Sequence, residues 1–197
     1  MKKIILASGS PRRKQLLELA EVPFEVIVSE IDESYPEELS PAEIALYIAS
    51  NKAWAVRRKL SLDGKGEGHT ILAADTVVVL ENEVIGKPQN RQHAIEILSH
   101  LSGKTHKVIT GVCILNGDEK KTFAEETLVA FHDLSLAQIE YYIDKYEPYD
   151  KAGAYAIQEW IGAVGIKSIK GDFYNVMGLP VFKVVKEMVE MGHCFLK

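Results

Sequence analysis

One aspartate constrains the fold more than any other residue. Residues 70–80, TILAADTVVVL, form an apolar run with Asp75 near its centre. The run reads as a long strand, followed by a tight turn near Asn82 and Glu83 and a short return strand. Burying a lone carboxylate in such a strand costs on the order of several kcal/mol, so Asp75 needs a cation, a metal or a cleft. Folding the hairpin about residues 82 and 83 sets Val78 opposite Lys87. Lys87 then falls close to Thr76 and Asp75, as a structural pair or as part of a site.

The stretch IILASGSPRRKQLLELA, residues 4–20, poses a second charge problem. Ile4 to Ala7 reads as a short buried strand, Ser8 to Ser10 as a tight loop, and Pro11 as the first residue of a helix with Ser10 as N-cap. Leu16, Leu17 and Ala20 begin its apolar stripe. The first turn therefore carries Arg12, Arg13 and Lys14 at the positive end of the helix dipole, where each cation is unfavourable by roughly 0.3 to 1 kcal/mol. Lys14 has Glu18 four residues on, whereas Arg12 and Arg13 have no acid at helical spacing. Two guanidinium forks beside free backbone N–H groups suit a phosphate chain. The competing reading has the arginines meeting carboxylates from elsewhere in the fold. Neither the P-loop nor the dinucleotide glycine motif is present.

The 197 residues, 47% hydrophobic, can bury a sizeable core as one domain or one domain with a lobe. A formal net charge of -5 excludes a general nucleic-acid or membrane-surface binder, so a polyanion must be held by local cations. The N-terminal apolar run breaks into Ser and Gly too early for a secretory signal, and no stretch approaches a membrane span. Cys113, in an expected strand, and Cys194 form no disulfide framework or zinc spacing, and no histidine pair has ligand spacing. A cytoplasmic protein is the simplest expectation.

Phe24 to Ser29 alternates like a strand and leads into the acidic segment Glu30 to Glu38. Ser40, Pro41 and Glu43 form a capping box opening a helix to about Leu60. Its stripe is Ile44, Ile48, Lys52, Ala55 and Val56, so Lys52 either snorkels outward or points into the anion site. Gly64 to His69 reads as a glycine-rich loop. A helix from about Asn90 to Ser102 ends at Gly103, Asn116-Gly117 marks a hairpin, and Ser135 with Gln138 caps a further helix. In EPYDKAGAYAIQ, residues 147–158, the small residues 152 to 154 admit a flat ligand or pack tightly. Pro180 to Met191 reads as a last helix, stopped by Gly192. Helices alternating with strands, then hairpins, indicate an α/β fold with a mixed sheet.

LASGSPRR (6–13), AADTVV (73–78), GKP (86–88), LSGKTHKVITGV (101–112), EPYDKAGAYAIQ (147–158) and GDFYNVMGLP (171–180) resemble the Maf family of nucleoside triphosphate pyrophosphatases, in order along almost the whole chain. The resemblance implies a single Maf-like domain over 1–197, an elongated mixed sheet flanked by helices as in inosine triphosphate pyrophosphatases, and an active-site cleft between two lobes. It implies cleavage of the α–β phosphoanhydride to monophosphate and pyrophosphate with a divalent metal, and makes a homodimer an expectation. It assigns Asp75 as general base or metal carboxylate and Arg12, Thr76 and Gln158 as discriminating positions. The DKAGAYxIQ form is similar to the dTTP/UTP branch. Ala156 stands where many members carry glycine.

For that reaction, Arg12, Arg13, Lys52 and Lys87, with Mg²⁺ or Mn²⁺, would neutralise the leaving pyrophosphate. Asp75 would hold the metal, accept the water's proton, or both, with Glu33 first among additional ligands. Ser8 is a candidate phosphate contact and Lys151 a candidate substrate contact. Gln158, with a donor and an acceptor, suits the O4 and N3–H edge of thymine or uracil. The alternatives are a pyrophosphatase for noncanonical purines or 7-methyl-GTP, and a non-catalytic nucleotide-binding regulator of septum formation.

Overall fold

A computed structural model describes residues 3–28, 30–64 and 68–193. Ser29, the centre of the expected 64–69 loop and Cys194 therefore lie outside the described residues. The elements run β1 (Ile4–Leu6), α1 (Pro11–Leu19), β2 (Phe24–Val26), α2 (Pro41–Leu62), β3 (Thr70–Leu80), β4 (Glu83–Ile85), α3 (Arg91–Leu101), β5 (Thr105–Asn116), β6 (Glu119–Phe131), α4 (Leu136–Tyr146), α5 (Trp160–Gly165), β7 (Ile166–Lys170), α6 (Phe173–Met177) and α7 (Val181–Glu190). Short 3-10 turns at Pro148–Asp150 and Ala152–Ala154 follow α4. The fold is mixed α/β, with strand order β2-β1-β3-β5-β6-β7 and β4 paired to β3. β1 is parallel to both β2 and β3, whereas β3–β4 and β6–β7 are antiparallel. No helix among the described residues is long and apolar enough to cross a membrane.

The β3–β4 hairpin differs in register from the sequence expectation. Its turn falls on Glu81 and Asn82, both left-handed at φ 53° and 73°, and Val78 pairs with Ile85. Lys87 lies two residues beyond β4. A two-residue loop with positive φ at both positions matches the twist of the flanking strands, and that demand outweighs the preference of Glu81 for ordinary backbone. The β5–β6 loop is likewise Gly117 and Asp118, one residue on from the expected pair.

The chain divides into two compact units, one of Met1–Asp75, Thr110–Glu125 and Gly178–Lys197, the other of Thr76–Ile109 and Glu126–Met177. In the first, α2 opens with the expected capping box, Ser40 accepting from the Glu43 N–H and Glu43 from the Ser40 N–H. Its buried face is Ile44, Ala45, Ile48, Ala49, Ala53, Val56 and Leu60. Alanines at 45, 49 and 53, rather than Ala55, let the helix lie close to the strands. A Cβ on Gly111 of β5 would stand 2.4 Å from the Ala45 carbonyl carbon, so glycine is required at this approach.

In the second unit, α3 and α4 cover an apolar cluster that includes Leu98, Leu101, Val129, Phe131, Ile139 and Ile143. His106 of β5 is buried there, with Nε2 2.7 Å from the Tyr155 hydroxyl and its ring edge-on to Phe131 and Tyr155. Its Nδ1 is buried without a hydrogen-bond partner. Desolvation lowers the His106 pKa from 6.5 to about 4. The unfolded chain then binds more protons between those values, so stability is complete above about pH 6.5 and falls as pH drops toward 4. The loss over that window is roughly 3 kcal/mol at 1.4 kcal/mol per unit. Urea unfolding across pH 4 to 7 is expected to show this decline, and His106→Asn to flatten it; an equal slope in the variant would remove His106 as its source.

Candidate active site

Lys52 reaches from the buried side of α2 to two carboxylates. Its Nζ lies 2.7 Å from Asp75 Oδ1 and 2.7 Å from Glu33 Oε1. The two oxygens can thus be no further apart than twice that distance. The side chains of Lys52 and Asp75 are only 15% and 14% exposed, whereas Glu33, on the coil before α2, is 46% exposed. The interruption of an apolar helix stripe and the interruption of an apolar strand are therefore the two halves of one ion pair. Lys52 does not snorkel away from the fold.

Arg13 belongs to the same unit. It is buried in α1, where Nε donates to the Gly178 carbonyl at 2.8 Å and Nη1 donates to Ser8 Oγ at 3.0 Å. Desolvation pushes its pKa below the ordinary value, Asp75 and Glu33 oppose that shift, and Arg12 adds to it. The guanidinium remains a cation. Ser10 occupies the expected N-cap position, but its side chain makes no cap hydrogen bond and the first turn carries no acid. The Ser10 N–H instead donates to Ser8 Oγ at 3.3 Å. Ser8 thus accepts from both Arg13 and Ser10, which leaves its hydroxyl hydrogen as a donor. Arg13 is thus held by two neutral oxygens within the field of two carboxylates.

Among the remaining expected residues, Thr76, Lys87, Lys151 and Gln158 fall in the second unit. Thr76 is partly buried in β3, and Lys87 and Gln158 are exposed. Lys151 is buried, with Nζ 2.7 Å from Asp150 Oδ1 and 3.7 Å from Glu159 Oε1. Gly153 takes φ +70° and packs on Val78, where an added Cβ would stand 3.0 Å from Cγ2. Tight packing accounts for the small residue there. The anchor of Arg13 at Gly178 and the partner of Lys151 at Glu159 were not read from sequence. Gly178 acts through a backbone carbonyl 165 residues away, which no side-chain pattern signals.

No group of three or more His, Cys, Asp or Glu suited to a metal occurs among the described residues. Asp75 and Glu33 nevertheless stand together as two hard carboxylates, each with one oxygen on the Lys52 ammonium. Mg²⁺ sites commonly use one or two carboxylates and complete the shell with water and substrate phosphates, so the donor set fits such an ion.

A family model described as Maf-like protein matches residues 3–191. The chain belongs to the Maf-like family. This Maf-like chain is 49% identical over 187 residues to a protein of Parabacteroides distasonis named dTTP/UTP pyrophosphatase, covering 94% of each. It is 48% identical to one of the same name from Bacteroides thetaiotaomicron and 47% identical to one from Bacillus cereus, covering 95% of each chain in both cases. The solved Ham1 protein of Staphylococcus aureus aligns over 98% of the chain at 15% identity and a TM-score of 0.49, a likeness that carries no argument.

Removing Lys52 leaves two neighbouring carboxylates without their common cation. For Lys52→Met, urea unfolding at pH 7 is expected to show a loss of about 2 kcal/mol, below the full cost of breaking a buried pair because Glu33 can turn to water. Unchanged stability at pH 7 would contradict the pairing.

Proposed function

We propose that the protein hydrolyses dTTP and UTP to the monophosphate and pyrophosphate, as a house-cleaning enzyme of the cytoplasmic nucleotide pool. One observation carries the reading: Lys52 holds Asp75 and Glu33 at 2.7 Å each in a unit that also pins Arg13. Paired carboxylates and a fixed guanidinium are the groups that water activation and phosphate neutralisation require. The pyrimidine substrates rest on the names of relatives at 47 to 49% identity over more than nine-tenths of the chain. Those names do not favour the purine, 7-methyl-GTP or purely regulatory alternatives.

The reaction adds water across the α–β anhydride. A water oxygen bonds to phosphorus, the bridging P–O bond breaks, and the displaced oxygen leaves with its phosphate group. In our reading Asp75 accepts the water's proton, and Lys52 orients it. Arg12, Arg13 and Lys87 bind phosphate oxygens, and the Ser8 hydroxyl donates to one. Asp75 and Glu33 would hold Mg²⁺ or Mn²⁺, which when bound screens phosphate charge and acidifies water. Gln158 reads the O4 and N3–H edge of the base, while Thr76 and Lys151 contribute to the substrate side.

Ion chromatography of products, after incubation with Mg²⁺ and separately dTTP, UTP, CTP, ITP and 7-methyl-GTP, tests the proposal. Monophosphate and pyrophosphate from dTTP and UTP are expected. Diphosphate and orthophosphate would move the scissile bond, selective turnover of ITP or 7-methyl-GTP would overturn the base assignment, and no turnover with Mg²⁺ or Mn²⁺ would remove the activity.

A further inference from the structure

Gln158 is exposed, yet the backbone that displays it is held from two sides. Residues 156–159 form a turn closed by the Glu159 N–H donating to the Ala156 carbonyl at 3.1 Å, with Gln158 in the third position. One buried hydroxyl grips both ends. Tyr142 of α4 is fully buried, accepts from the Ala156 N–H at 3.1 Å, and donates to Glu159 Oε2. Glu159 Oε1 faces Lys151 Nζ at 3.7 Å, and that ammonium is in turn bound to Asp150 at 2.7 Å.

From the other side, α5 leaves the turn no room to shift. A Cβ on Gly162 would stand 1.7 Å from the Ile157 carbonyl oxygen, so the helix backbone lies directly on the turn. The Gly162 N–H donates to the Glu159 carbonyl at 2.9 Å, locking α5 to the residue after Gln158. An ordinary surface turn exchanges conformers because its backbone groups face water. This one is clamped at both ends by a phenol and on one face by a helix. A flexible glutamine discriminates poorly between thymine or uracil and cytosine, because turning its amide over exchanges donor and acceptor. Fixing the backbone restricts the directions from which the amide can approach a base.

We propose that Tyr142 and Glu159 are positioning residues for base recognition: the Tyr142 hydroxyl bridges the Ala156 N–H and the Glu159 carboxylate and so fixes the backbone from which Gln158 reaches the base. This rests on the reading of Gln158 given above. Tyr142 acts through the turn, and the phosphate chemistry of the first unit does not depend on it. Discrimination between bases is therefore the property it controls, expressed in KM more than in kcat.

Steady-state kinetics of wild-type protein, Tyr142→Phe, Gln158→Ala and the double variant, with dTTP and CTP, test this. Tyr142→Phe keeps the ring and removes the hydroxyl. The dTTP to CTP ratio of kcat/KM is expected to fall about tenfold through a raised KM for dTTP, with kcat for dTTP within about threefold of wild type. In the Gln158→Ala background the same change should leave the ratio unmoved. A Tyr142→Phe protein that loses thermal stability but keeps the wild-type ratio would overturn the proposal, as would equal effects of Tyr142→Phe with and without Gln158. Glu159→Gln, which keeps an acceptor for the phenol, should retain most of the discrimination that Glu159→Ala loses, and equal behaviour of the two would also contradict the clamp. Wild-type protein that turns over neither dTTP nor UTP would instead fail the parent reading.

Discussion

The ion pair of Lys52 with Asp75 and Glu33 is the interaction on which the first unit depends. β3 buries Asp75 amid an apolar run, and without a cation that burial would be prohibitive. The cation comes from α2, which can supply it only by approaching the strands closely. Ala45, Ala49 and Ala53 on its buried face, and Gly111 against its backbone, make that approach. Packing and electrostatics are thus one design, in which small residues set the helix distance and Lys52 spans the remainder. Glu33, on the less enclosed side, shares the Lys52 ammonium while staying in reach of solvent.

Arg13 shows the same logic at shorter range. A buried guanidinium needs acceptors for its N–H groups, and Ser8 and Gly178 supply neutral ones. The chain carries a formal net charge of -5, yet at this place it gathers two arginines and a lysine.

Much of this was legible in sequence where local chemistry decides. Ser40 with Glu43, Ser135 with Gln138 and Asn90 mark helix starts that appear where their hydrogen bonds require. Asp75 and Lys52 stand out as misfits in apolar patterns, and the structure joins them. Long-range geometry was less legible. The β3–β4 register slipped because two non-glycine residues take left-handed backbone at Glu81 and Asn82, a choice made by strand twist. α5, β7 and α6 are each six residues or shorter and depend on tertiary packing for their existence, so periodicity did not find them. Ser10 stands at the expected N-cap position, but its hydroxyl does not cap, and its N–H donates to Ser8. Tyr142 and Glu159 carry no sequence signal of their bond, since a tyrosine on a buried helix face looks like any other core residue.

The central claim is that Asp75 serves the chemistry and not merely the fold. Its most direct test is the single-turnover rate of dTTP hydrolysis by Asp75→Asn, measured with Mg²⁺ beside the urea unfolding curve of the same protein. Asparagine keeps an oxygen for Lys52 and removes the charge and the basic site. The account predicts a cooperatively folded protein whose rate falls by about 10² to 10⁴, the range associated with loss of a general base. A folded variant hydrolysing dTTP near the wild-type rate would contradict it and reduce the Lys52–Asp75 pair to a structural device.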